Sequence, residues 1–196
     1  FVVKYRLGPR YRHPAMEQDG LRAVRMVRAN AARFGVDSAR IGVLGFSAGG
    51  HLAGTVGTHF AAGQSGASDS VERVSSRPDA MLLVYPVITM QGSAAHAGSR
   101  RSLLGDHPDT DVLRYLSLET QVVSATPPTM IVASTDDKSV PVTNAVQFYD
   151  ALRAGASGFL LKDVPAEQLI GRFMCTDILV HTWDLARAVG GDEQLD

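Results

Sequence analysis

Gly45-Phe46-Ser47-Ala48-Gly49 fits the pattern G-x-S-x-G. A serine hydroxyl held on a sharp strand-to-helix turn can attack an acyl carbonyl. It needs a histidine to take its proton and a carboxylate to orient that histidine. The main-chain N–H of Ala48 would then lie at the helix start and point at a developing oxyanion. Glycines suit such a turn because the backbone approaches itself closely on either side of the serine. The bare pattern equally describes a glycine-rich turn with an incidental serine, so the flanks decide. Ile41–Phe46 is a short apolar strand entering the motif, and a helix leaves it through Leu52, Ala53 and Val56. That context favours Ser47 as a nucleophile.

The carboxylate candidates are Asp136 and Asp137, directly after an apolar run at Thr129–Ser134. A carboxylate at a strand end shares a sheet edge with Ser47 and can converge on it. A solvated loop or a helix cap is the competing reading of an Asp pair. Of the six histidines, His181 alone lies downstream of the acid, and the chain order Ser–Asp–His favours it as the base. Its neighbours Leu179, Val180 and Leu185 suggest an amphipathic helix, where a histidine is more often structural. His51 follows the motif on the helix beneath the site. His13 precedes Pro14 in an extended turn. His59, His96 and His107 fall in polar or loop contexts and read as surface positions. Trp183 and Cys175 read as packing residues.

These side chains need a scaffold, and the chain supplies alternating elements. Phe1–Tyr5 reads as a buried strand, ended by the turn-prone Leu7-Gly8-Pro9. Asp19 is placed to cap a helix carrying Leu21, Val24, Val27, Ala31 and Phe34 on one stripe, with Gly35 where it stops. Arg22, Arg25, Arg28 and Arg33 fall mostly off that stripe and read as a solvated face. Residues 61–78, rich in Gly, Ser and Ala, read as a flexible surface loop. Ala80–Ile88 is apolar without alternation, the mark of a strand buried on both faces. Residues 91–126 carry a polar loop and short helices. A strand at Thr129–Ser134 follows, then a helix marked by Ala145, Phe148, Tyr149 and Leu152. Alternating strands and helices predict an α/β fold with a mostly parallel sheet flanked by helices.

Composition bounds the function. The chain has 196 residues, 45% hydrophobic and 20% charged, as in an ordinary globular protein. Nineteen basic against 20 acidic residues give a net charge of −1, which argues against nucleic acid or a membrane surface as partner. No run of about eighteen apolar residues predicts a membrane span. Cys175 is the single cysteine and forms no internal bridge. A cytoplasmic location is the expectation. The chain opens on Phe-Val-Val rather than Met, so upstream sequence is expected.

Four blocks together resemble α/β-hydrolase esterases: FVVKYRLGPRYRHP at 1–14, RIGVLGFSAGGH at 40–51, DAMLLVYP at 79–86 and PPTMIVASTDDKSVPV at 127–142. The similarity runs in order over about residues 1–154 and is nearest to the acetyl esterase and acetylxylan-esterase-like group. The resemblance implies Ser47 as nucleophile and Asp137 as triad acid, because Asp137 directly precedes Lys-Ser-Val-Pro; Asp136 is the fallback. It implies a small-molecule ester substrate with a short, acetyl-type acyl group, and no cofactor or metal. Such enzymes place a His-Gly-Gly loop before the strand corresponding to Phe1–Tyr5, where it completes the oxyanion hole. The first strands of the sheet and that loop are expected to be missing here. An open sheet edge would then favour a homodimer.

The tail, residues 155–196, looks different and is expected to be mainly helical and to pack on the same domain. Ala151–Ile170 resembles the end of bacterial response-regulator receiver domains, with Lys162 in the place of the receiver lysine. No acidic pocket precedes it, so no phosphorelay is inferred. Asp177–Asp196 resembles the end of mycothiol-dependent isomerase-like helical proteins, in which a histidine like His181 is one of several metal ligands. A lone histidine makes no metal site. Two functions follow from the sequence: a serine carboxylesterase, or a catalytically incomplete hydrolase remnant with at most ligand binding.

Overall fold

A computed structural model describes residues 1–155 of the chain. The segment 156–196, with His181, Cys175, Trp183 and Lys162, lies outside the described residues.

Three strands form a parallel sheet in the order β1 (Gly42–Phe46), β2 (Ala80–Val84), β3 (Thr129–Val132). Leu44 pairs with Leu82, and Leu82 with Met130. All three strands therefore end at one edge. The chain leaves that edge into Ser47 after β1, Tyr85 after β2 and the Asp136-Asp137 turn after β3.

The helices are α1 (Ala15–Ala29), α2 (Ala31–Phe34), α3 (Ser47–Thr58), α4 (Ala97–Leu104), α5 (Thr110–Tyr115) and α6 (Thr143–Gly155). Glu17 in the first turn of α1 and Arg28 in its last both suit the helix dipole. Gly35 adopts the left-handed conformation that closes α2, with φ +66°.

One sheet face is well covered. Met81, Leu83 and the half-buried Val43 and Ile131 pack with Ala53 of α3, Leu118, and Phe148 and Leu152 of α6. This is the stripe that the apolar spacing of α6 requires. Cover on both faces was the expectation. On the opposite face Leu44 is 51% exposed and Leu82 and Met130 are half buried.

Four sequence expectations need correction. Phe1–Tyr5 is not a strand: it pairs with no other strand among the described residues, and Phe1 and Val2 are exposed. An apolar run becomes a strand only where another strand takes its main-chain hydrogen bonds. Asp19 does not cap α1, which already begins at Ala15. Its carboxylate instead accepts the Arg6 main-chain N–H at 2.8 Å and the Arg6 guanidinium, tying residues 1–7 to the helix. Arg25 and Arg28 are not a solvated face. Arg25 is buried and donates to the Val74 carbonyl and Glu72, while Arg28 donates to the Ser75 carbonyl and Asp79. Residues 61–78 are accordingly a held segment rather than a free loop, with a short 3-10 turn at Ser70–Arg73.

Candidate active site

β1 reaches Phe46 in an extended conformation, and α3 starts at once. Ser47 makes the junction with φ +50°. That left-handed conformation costs a non-glycine residue about 1–3 kcal/mol and persists only where its surroundings dictate it. Two surroundings are visible. The Ser47 carbonyl accepts the Val87 N–H at 3.1 Å. Gly45 leaves room for the chain to fold back: a Cβ there would overlap the Gly49 carbonyl oxygen and lie 2.8 Å from the Gly50 nitrogen.

The second glycine of the motif behaves differently from the expectation. A Cβ at Gly49 would meet nothing within 4 Å, whereas one at Gly50 would come within 2.9 Å of Pro86. Close approach on the helix side is thus required at Gly50, one residue beyond the motif.

Ser47 is half-buried and Ala48 exposed. The first N–H groups of an α-helix have no acceptor within it and sit at its positive end, and Ala48 is the second residue of α3. Ala48 also lines a cavity of about 340 Å³ walled mainly by apolar side chains such as Met16, Leu52 and Leu116. His13 and Glu17 line it as well. Glu17 Oε1 accepts the Tyr115 hydroxyl at 2.8 Å, and its Oε2 lies 3.5 Å from His13 Nδ1. Burial lowers the His13 pKa from its ordinary value, and burial and Glu17 raise that of Tyr115. The sequence carried no signal for this cluster, since its members are distant in the chain.

Asp137 follows β3 on the same sheet edge as Ser47. Its Oδ1 accepts the N–H groups of Ser139 at 2.7 Å and Val140 at 2.9 Å, which fixes the carboxylate on its turn. Asp136 is exposed and accepts the Ser134 hydroxyl.

None of the described histidines hydrogen-bonds to Ser47 or Asp137. His51 is buried, donates from Nε2 to the Leu116 carbonyl at 2.9 Å, and has its pKa pushed down to about 4 by burial. His59 donates to the Tyr115 carbonyl at 2.9 Å, and His96 caps α4 by accepting the Ser99 N–H at 3.1 Å. Only His107 has the exposed surface position expected for all three loop histidines; His59 and His96 are half-buried. His181 lies outside the described residues.

No described helix is long and apolar enough to cross a membrane.

Residues 1–152 match the BD-FAE family. An endo-1,4-beta-xylanase B of Butyrivibrio fibrisolvens is 41% identical over 141 residues, covering 72% of this chain and 22% of that protein. An acetylxylan esterase of Xylanibacter ruminicola is 34% identical over 157 residues, covering 78% of this chain and 30% of that protein. The chain therefore spans less than a third of either relative. In three dimensions it resembles an acetyl ester-xyloside bifunctional hydrolase from Caldicellulosiruptor lactoaceticus, with a TM-score of 0.77 and 40% identity over 95% of this chain and 70% of that one. By its sequence match over residues 1–152, its parallel sheet and its solved neighbours, the chain belongs to the BD-FAE family, among the α/β-hydrolase esterases.

Proposed function

We propose that the protein is a serine ester hydrolase acting on short, acetyl-type acyl esters. The observation that carries this reading is Ser47 at φ +50° between β1 and α3, a costly conformation at the edge where the strands end. Ser47 attacks the ester carbonyl. The Ala48 amide at the positive end of α3 stabilises the tetrahedral oxyanion. Asp137, held by two main-chain N–H groups, orients a histidine, and His181 is the residue assigned to that role by chain order. The histidine takes the Ser47 proton and passes it to the departing alcohol as the acyl-enzyme forms, and water then releases the acyl group as its acid. The acetyl preference rests on the acetylxylan esterase and the acetyl ester-xyloside hydrolase to which the chain is similar.

Hydrolysis of p-nitrophenyl acetate tests the nucleophile. Wild type is expected to turn over and Ser47→Ala to fall to background; equal rates refute the assignment. The remnant reading draws on the described histidines, none of which hydrogen-bonds to Ser47 or Asp137; the hydrogen bonds of His51, His59 and His96 go to other partners. A fluorophosphonate probe separates the two, because rapid stoichiometric labelling of Ser47 requires an activated hydroxyl.

A further inference from the structure

Between β2 and α4 the chain passes through Pro86–Gln91 without regular secondary structure. Val87, Ile88 and Met90 are nevertheless fully buried and Thr89 nearly so. A buried irregular segment must find acceptors for its main-chain N–H groups elsewhere. Here each N–H from Val87 to Gln91 has one. Val87 donates to the Ser47 carbonyl. Ile88 and Thr89 donate to Asn144 Oδ1 at 2.8 and 3.1 Å. Met90 donates to Ser117 Oγ at 3.0 Å, and Gln91 to Thr89 Oγ1 at 3.1 Å.

Asn144 is fully buried in the first turn of α6. Its oxygen serves the 88–89 segment rather than its own helix. Its Nδ2 donates to the Ala94 carbonyl at 2.9 Å and to the Pro141 carbonyl at 3.1 Å. Pro141 ends the turn in which Ser139 and Val140 donate to Asp137 Oδ1. One hydrogen-bonded path thus runs from the Ser47 carbonyl, through residues 87–89 and Asn144, to the Asp137 turn.

We propose that Asn144 is a positioning residue: it fixes the turn carrying Asp137 at a set offset from the turn carrying Ser47, through the buried 87–89 segment. The inference rests on the reading of Ser47 and Asp137 as nucleophile and acid. Only a side-chain amide offers an acceptor for two N–H groups and two donors at once. An aspartate keeps the acceptor side but turns an oxygen towards the Ala94 and Pro141 carbonyls. Asn144 touches no reacting atom, so its effect is on geometry, where a misplacement of about 1 Å costs roughly 10²-fold in rate.

Amide hydrogen exchange under native conditions, with ester kinetics beside it, tests this. In wild type the amides of Val87, Ile88, Thr89, Ser139 and Val140 are expected to exchange through one shared opening, with one denaturant dependence. Separate openings for 87–89 and 139–140 overturn the proposal, and this measurement needs no variant. In Asn144→Asp, kcat is expected to fall roughly 10²-fold with KM unchanged, and the Ser139 and Val140 amides to lose protection. Ser117→Ala removes another buried partner of the same segment but none of the Asp137 turn, and it should leave those two amides protected. Wild-type protection at 139–140 in Asn144→Asp, or equal loss in Ser117→Ala, refutes the coupling. A wild type that hydrolyses no ester while the shared opening persists refutes the hydrolytic reading but supports the coupling.

Discussion

The two glycines of the G-x-S-x-G motif should respond in opposite directions to the same substitution. In Gly45→Ala the new Cβ overlaps the Gly49 carbonyl and approaches the Gly50 nitrogen, and backbone atoms cannot swing aside as a side-chain end would. Overpacking of this kind costs about 1–3 kcal/mol, and contact with backbone on two residues places it at the upper end. Lower entropy of the unfolded chain offsets about 0.4–1 kcal/mol, leaving a net loss of about 2 kcal/mol. In Gly49→Ala the Cβ enters open space in the first turn of α3, where alanine is favoured over glycine by about 0.5–1 kcal/mol. The two variants should therefore differ by about 3 kcal/mol. With a urea slope of about 2 kcal/mol per molar, that is a gap of about 1.5 M between unfolding midpoints at constant slope. Equal midpoints, or a Gly49→Ala variant as destabilised as Gly45→Ala, would refute the argument that the fold-back is set by Gly45 and Gly50 rather than by the motif's own pair.

Other perturbations have equally definite outcomes. The folded chain binds a proton at His51 at about pH 4 and the unfolded chain at about 6.5. Stability is thus fully present above pH 6.5 and falls as pH drops from 6.5 towards 4, by about 3 kcal/mol, with the burial-lowered His13 acting in the same direction. Urea midpoints followed from pH 7 to 4.5 check this, and a flat profile rejects it. Arg25→Ala should cost about 2 kcal/mol or more, since it strips a buried donor from the Val74 carbonyl and Glu72. Limited proteolysis should then cut residues 61–79 faster than in wild type; an unchanged pattern would show that Arg25 does not hold that segment. Leu83→Ala removes a fully buried side chain shared by the sheet, α3 and α6, and should cost about 3 kcal/mol by equilibrium unfolding. A loss below about 1 kcal/mol would mean that the site collapses around the gap.

What the sequence disclosed was local and periodic. β1, β2, β3 and α6 were legible because an apolar run or a helical stripe announces burial without naming a partner. Phe1–Tyr5 misled for the same reason: it has the strand composition, but pairing is a property of neighbours. The arginines of α1 misled because their partners lie 47–51 residues away, and periodicity cannot show a distant carboxylate or carbonyl. Ser47 was visible because strand, turn and helix chemistry coincide within one short motif. Asn144 was not. It looks like an ordinary polar residue near a helix start, and its value comes from partners 50–56 residues earlier.

The buried Pro86–Gln91 segment has a consequence for the order in which the protein matures. Its N–H groups at 88 and 89 wait for a side chain 55–56 residues further along. While a ribosome is still adding those residues, β1 and α3 can meet, but the N–H groups of Ile88 and Thr89 lack their Asn144 acceptor. Loop closure over that span carries an entropic cost that only docking of α6 repays. A nascent or prematurely terminated chain lacking residue 144 would thus present the serine motif without the Asn144 bonds that tie residues 88–89 to the start of α6.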